Sequence, residues 1–110
     1  MKSLAMFAML ALVATAAQAE SPAVPAKAAT CFACHGQGGH STIGMYPILA
    51  GQYDNYIERA LHEYKSGERK NAIMNGQAAS LTDHEIVELA QYFAAQDALY
   101  TPTEQGALKK

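Results

Sequence analysis

Between residues 81 and 96, "LTDHEIVELAQYFAAQ", apolar side chains fall at Ile86, Leu89, Ala90 and Phe93. That spacing puts them on one face of a helix. Thr82, followed three residues later by Glu85, is the signature of a capping box, so the helix is entered at Thr82. Residues 52–67, "QYDNYIERALHEYKSG", repeat the pattern with Tyr53, Ile57, Ala60, Leu61 and Tyr64, and Gly67 is a natural stop. A third, shorter helix is predicted over about residues 25–34, "PAKAATCFAC", because Pro25 suits a first helical turn. Two stretches break the periodicity. Residues 36–47 hold four glycines and a proline, and 68–80, "ERKNAIMNGQAAS", show no sustained period, so both read as loop. No run alternates as a strand would. The predicted domain is all-α, with three main helices and two long loops. Loops of that length in a small domain ask for something to wrap around.

The N-terminus follows different rules. Lys2 supplies a positive start, "LAMFAMLALVATAA" is apolar but short, and "AQA" at 17–19 offers small residues for cleavage. This layout predicts a secretory signal peptide over residues 1–19, with export to the periplasm. An uncleaved anchor is the competing reading, and it needs about 20 apolar residues to span a bilayer. The remaining residues 20–110 then form one domain, with a core at about 26–96 and a frayed tail, "TPTEQGALKK". No later stretch is apolar enough for stable membrane insertion. The whole chain carries eight basic residues against ten acidic ones. Losing Lys2 deepens the acidic balance slightly, and the basic residues are scattered, which excludes the concentrated basic face of a nucleic-acid binder.

The chemistry concentrates in "TCFACHGQGG", residues 30–39, which holds both cysteines of the chain. Three chemistries use such a pair. A redox-active dithiol normally opens a βαβ unit, and no strand is predicted here. A zinc site needs about four ligands; Cys31, Cys34 and His35 would need His40, His62 or His84 as a fourth, and three ligands on one turn strain a tetrahedron. The remaining reading uses every residue, because C-x-x-C-H is the attachment signature of c-type haem. Two thiols one helical turn apart reach the two vinyl groups on one porphyrin edge, and His35 lies beside the iron.

A sixth iron ligand can then be sought. Beyond residue 19 only Met45 and Met74 carry thioethers. Met45 follows His35 closely, on the loop that must first round the porphyrin edge on His35's own side. Met74 comes after a whole helix, in an irregular segment free to fold over the opposite face. Its soft sulfur suits low-spin iron, although a core-filling role is the commoner fate of a methionine.

With "CFACHGQGG", "YPILAGQYDNYI", "YKSGERKNAIMNG" and "LTDHEIVELAQYFAAQ" in this order, the chain resembles a small bacterial periplasmic monohaem cytochrome c of the His/Met class. It is also similar to single halves of dihaem cytochromes c. The resemblance runs from about Ala26 to Gln96 and implies the cytochrome c fold around one covalent haem c and its iron. It implies that Cys31 and Cys34 carry the thioethers, that His35 and Met74 are the axial ligands, and that the Pro47 carbonyl orients His35. Tyr46 stands where related sequences often have phenylalanine; its hydroxyl meets either a haem propionate or water. Arg69 and Lys70 either pair with a propionate or are simply solvated. Tyr92 and Phe93 are candidates for the crossing of the last helix with the first, and His40, His62 and His84 read as surface residues.

The implied function is that of a monomeric one-electron carrier with no catalysis of its own, serving redox protein partners that the residues do not name. Two alternatives follow: a dedicated electron-transfer subunit of a periplasmic dehydrogenase, or a gas-binding sensor in which Met74 does not ligate. If the acidic balance surrounds the haem edge, partner surfaces are basic and transfer slows with salt.

Overall fold

The structure, a computed structural model, describes residues 22–97. The signal peptide expected at 1–19 and the tail at 101–110 lie outside the described residues. Among the described residues there are four helices rather than three: α1 (Ala28–His35), α2 (Asp54–Ser66), α3 (Ala72–Ala78) and α4 (Asp83–Ala94). No strand occurs among the described residues. A tight 3-10 turn at Gln37–Gly39 follows α1.

Helix α4 forms as its pattern dictates. The Thr82 hydroxyl accepts from the Glu85 backbone N–H, and the Glu85 carboxylate accepts in return from the Thr82 N–H, closing the capping box. Ile86, Leu89, Ala90 and Phe93 are all buried, as is Tyr92. Helix α2 ends where Gly67 turns left-handed at φ 84°, a conformation that glycine adopts without steric cost. Its apolar stripe does something other than fill the core. Ile57 alone on this helix is buried among the described residues. Tyr53 at the N-cap is exposed, while Ala60, Leu61 and Tyr64 are half-buried along one wall of a cleft.

Helix α1 begins three residues later than the proline suggested. Pro25 instead opens a turn, its carbonyl accepting from Ala28 N at 3.0 Å. The expected loop at 68–80 contains α3, which is the larger correction. Asn71 caps this helix, its side-chain oxygen accepting from Ile73 N and Met74 N. A seven-residue helix has no room for a repeating apolar stripe, so hydrogen-bonding side chains define it.

Ala28, Ile57, Ala78, Leu81, Ile86, Leu89, Ala90, Tyr92 and Phe93 make the core, with Phe32 packed against it. The Phe32 ring lies 6.0 Å from that of Tyr92 and 6.1 Å from that of Phe93, the second pair edge to face. Thus α1 meets α4 through the aromatic pair marked for that crossing. The chain between α1 and α2 is pinned to α4 as well. Gly51 N donates to the Phe93 carbonyl at 2.9 Å. The Gly39 carbonyl accepts from Leu49 N at 2.9 Å and Ala50 N at 3.2 Å.

Gly39 cannot be another residue without cost. Its φ is +83°, and a Cβ would sit 2.8 Å from Phe93 Cδ1 and 2.9 Å from Ala50 N. Gly39→Ala is expected to destabilise the protein by about 2–4 kcal/mol through left-handed strain and overpacking. The check is a lowered denaturation midpoint. An unchanged midpoint would mean that the approach of loop and helix relaxes freely.

His40 was expected at the surface, but it ties two distant segments together. Its Nε2 lies 2.6 Å from the Asp97 carbonyl oxygen and its Nδ1 3.1 Å from that of Gln37. His62 is half-buried and His84 exposed, and each faces a carboxylate, Asp83 at 4.0 Å and Glu88 at 3.5 Å respectively.

Candidate functional site

One cleft gathers the residues singled out by their chemistry. Cys31, Cys34 and His35 come to it from α1, Tyr46 and Pro47 from the following loop, Arg69 from the α2–α3 linker, and Met74 from α3. The cavity volume is about 380 Å³, within the range of small-molecule and cofactor sites. Leu49, Ile57, Leu61 and Tyr64 form its apolar wall.

His35 is 7% exposed, and its Nδ1 donates to the Pro47 carbonyl oxygen at 2.7 Å. That bond fixes the tautomer: Nδ1 carries the proton, and Nε2 keeps a free lone pair for a metal. The Tyr46 ring stands 6.3 Å from the imidazole, edge to face, and limits its rotation. Helix α1 presents the two thiols one turn apart on the His35 side. Cys31 and Cys34 are both unlinked. Burial pushes the Cys31 thiol up from its ordinary value; its own backbone hydrogen bonding partly offsets this, and Cys34 adds to it.

Met74 is half-buried on α3, while Met45 is 76% exposed although it also lines the cleft. Met45 adjoins Tyr46 and Pro47, which pack on His35, so it belongs to the histidine's side. Arg69 is more constrained than a solvated charge. Its Nη1 donates to the Tyr56 hydroxyl at 3.3 Å, and its guanidinium lies 5.0 Å from the centre of the Tyr64 ring. The bond to Tyr56, reinforced by Tyr64, raises its already high pKa. Lys70 does not line the cleft. Among the described residues, no set of three or more His, Cys, Asp or Glu side chains is gathered to hold a bare metal ion.

These residues fit a haem tethered on one edge. Met45, Ile48, Tyr56 and Ile73 stand exposed around the cleft, where a flat apolar ring would cover them. The charge pattern departs from expectation. Arg69 is the only Lys, Arg, Asp or Glu that lines the cleft among the described residues. The carboxylates sit elsewhere, Glu63 with Arg59, Asp83 with Lys65 and Glu85 with Lys27.

Sequence periodicity did not reveal Tyr56, Tyr64 and Asn71 as parts of the site.

Comparison with known proteins follows the same outline. A family model described as Cytochrome c matches residues 24–96. Cytochrome c-554(548) of Halomonas halodenitrificans is 38% identical over 71 residues, covering 62% of this chain and 86% of that protein. Cytochrome c4 of Thiocapsa roseopersicina is 44% identical over 66 residues, covering 60% of this chain but 34% of that protein. The cytochrome subunit of sulfide dehydrogenase of Chlorobaculum tepidum is 38% identical over 64 residues, covering 58% of this chain and 57% of that protein. The chain thus spans most of the first relative and only part of the longer two.

Proposed function

The chain belongs to the cytochrome c family and carries one covalent haem c with its iron, and from that premise we propose that it is a periplasmic one-electron carrier with His35 and Met74 as axial ligands. Haem c supplies a one-electron iron couple. Cys31 and Cys34 anchor one porphyrin edge by thioethers. The Pro47 carbonyl holds the imidazole so that Nε2 serves the iron, and Tyr46 packs against the ring. Arg69, braced by Tyr56 and Tyr64, is the cation available to a propionate. Leu49, Leu61 and Tyr64 keep water from the ring face, which tunes the potential.

The observation that carries this reading is the 2.7 Å bond from His35 Nδ1 to Pro47 O, made by a histidine that shares its cleft with Met74. Two protein ligands leave no open iron site for a substrate. A role as carrier rather than enzyme follows. Export through residues 1–19 belongs to the same proposal; among the described residues, no helix is long and apolar enough to cross a membrane.

The test is spectroscopic. The reduced protein is expected to ignore carbon monoxide at neutral pH and to titrate as a single one-electron couple. Stoichiometric carbon monoxide binding would overturn the proposal in favour of a gas-binding site. A second reading, a dedicated subunit of a dehydrogenase, is favoured by two relatives: the sulfide dehydrogenase subunit, and the thiosulfate dehydrogenase electron acceptor of Thiomonas intermedia, 38% identical over 66 residues. Stable co-purification with an enzyme distinguishes it from a free carrier.

A further inference from the structure

Helix α3 has seven residues, too few to stand by propensity alone. Its apolar anchorage is thin. Ala78 is its one buried residue among those described, and Ile73 is exposed. Something else must fix where Met74 sits.

The side-chain amide of Asn75, the next residue, is hydrogen-bonded at both ends. Nδ2 donates one proton to the Tyr64 carbonyl at 2.8 Å and the other to the Arg69 carbonyl at 2.8 Å. Oδ1 accepts from Asn71 N at 2.9 Å. Asn71 in turn accepts from Ile73 N and Met74 N, each at 3.0 Å. The Tyr64 carbonyl belongs to the last turn of α2, where helical carbonyls have no partner within the helix. Asn75 therefore joins three segments: the end of α2, the linker at Arg69, and the first turn of α3, whose Met74 amide is held by the same loop of bonds.

No other side chain reproduces this. Aspartate keeps the acceptor but loses both donors. Leucine keeps the shape and loses everything polar, and glutamine adds a methylene to a fully engaged amide.

We propose that Asn75 is the positioning residue for Met74: by locking α3 to the end of α2, it sets how readily an external ligand displaces the methionine thioether. This rests on Met74 being an axial ligand, as proposed above. The amide never touches the iron; it acts by raising the population in which the thioether is in place. A competing ligand must bind the complementary, displaced population, so its apparent affinity reports that population directly.

The experiment compares the oxidised, haem-loaded wild type with Asn75→Leu, Asn75→Asp, Met74→Ala and Thr82→Ala. Thr82→Ala removes the α4 capping box and controls for general loss of stability. Two readouts are followed at neutral pH: the weak red absorbance band of thioether-ligated ferric haem, and titration with imidazole. Asn75→Leu and Asn75→Asp are expected to weaken the band and to bind imidazole roughly 10- to 100-fold more tightly, reflecting two or three lost hydrogen bonds. Thr82→Ala should bind it as the wild type does. Wild-type imidazole affinity in both Asn75 variants would overturn the proposal, leaving Asn75 an ordinary stabilising residue. Failure of both to yield haem-loaded protein would assign Asn75 to folding and overturn it equally. An unchanged red band in Met74→Ala would instead sink the axial-ligand reading beneath it.

Discussion

Met74→Ala should retain its haem, bind carbon monoxide when reduced, and fall in reduction potential by on the order of 0.1 V or more. Retention follows from where the anchors are. Cys31, Cys34 and His35 all belong to α1, whose contact with α4 runs through Phe32, Tyr92 and Phe93 and does not involve α3. Met74 is half-buried, so truncating it removes modest packing. The potential falls because a soft thioether favours the reduced iron, and water or hydroxide in its place favours the oxidised one. Carbon monoxide enters because none of the other described α2–α3 residues lining the cleft, Asn71 and Gln77 included, is a strong ligand for ferrous iron. Leu61 and Tyr64 are the nearest wall, and neither competes for ferrous iron.

Met45→Ala is the paired comparison. Met45 lines the same cleft but is 76% exposed, beside residues that pack on His35. Its loss should leave both the potential and carbon monoxide exclusion unchanged. Spectroelectrochemistry of the two variants decides the assignment. If Met45→Ala opens the iron and Met74→Ala does not, the ligands have been exchanged.

The residues that were legible in the sequence share a property: their signal is local. Thr82 and Glu85 announce α4 because both halves of a capping box lie within four residues. Gly67 announces the end of α2 because a left-handed residue is needed there. Cys31, Cys34 and His35 declare their chemistry by type and spacing. Helix α3 was missed because it depends on Asn75 reaching back to carbonyls at Tyr64 and Arg69, a contact that periodicity does not encode. The tie made by His40 is invisible for the same reason, since its partner Asp97 lies 57 residues away. The stripe on α2 is legible in the sequence, but its spacing does not say what it faces. Apolar residues at helical spacing look alike whether they face other side chains or a cofactor, so periodicity alone does not place Ala60, Leu61 and Tyr64 in the cleft they line.

That last point leads to the largest expected effect. Cys31→Ala/Cys34→Ala should yield a chain with no covalent haem and no cooperative unfolding transition. The protein-only core is small: the largest fully buried side chains are Phe93, Ile86 and Leu89, and several of the other buried residues are alanines. Leu49, Leu61 and Tyr64 are only partly buried against this core, and each lines the cleft. Fully burying a large apolar side chain is worth about 1.5–3 kcal/mol. A few such side chains left facing water forfeit an amount comparable to the about 5–15 kcal/mol that keeps a whole domain folded. Thioethers from Cys31 and Cys34 would keep the ring against that wall, whereas a free porphyrin held only through the proposed ligands His35 and Met74 would be lost whenever α3 opens. The expected signature is an absent haem stain on a denaturing gel, retained helical signal, and dye binding to exposed apolar surface. A sharp, native-like melt in the double variant would show that the four helices close on one another unaided, and that the cleft is carved into a stable domain rather than completed by what it holds.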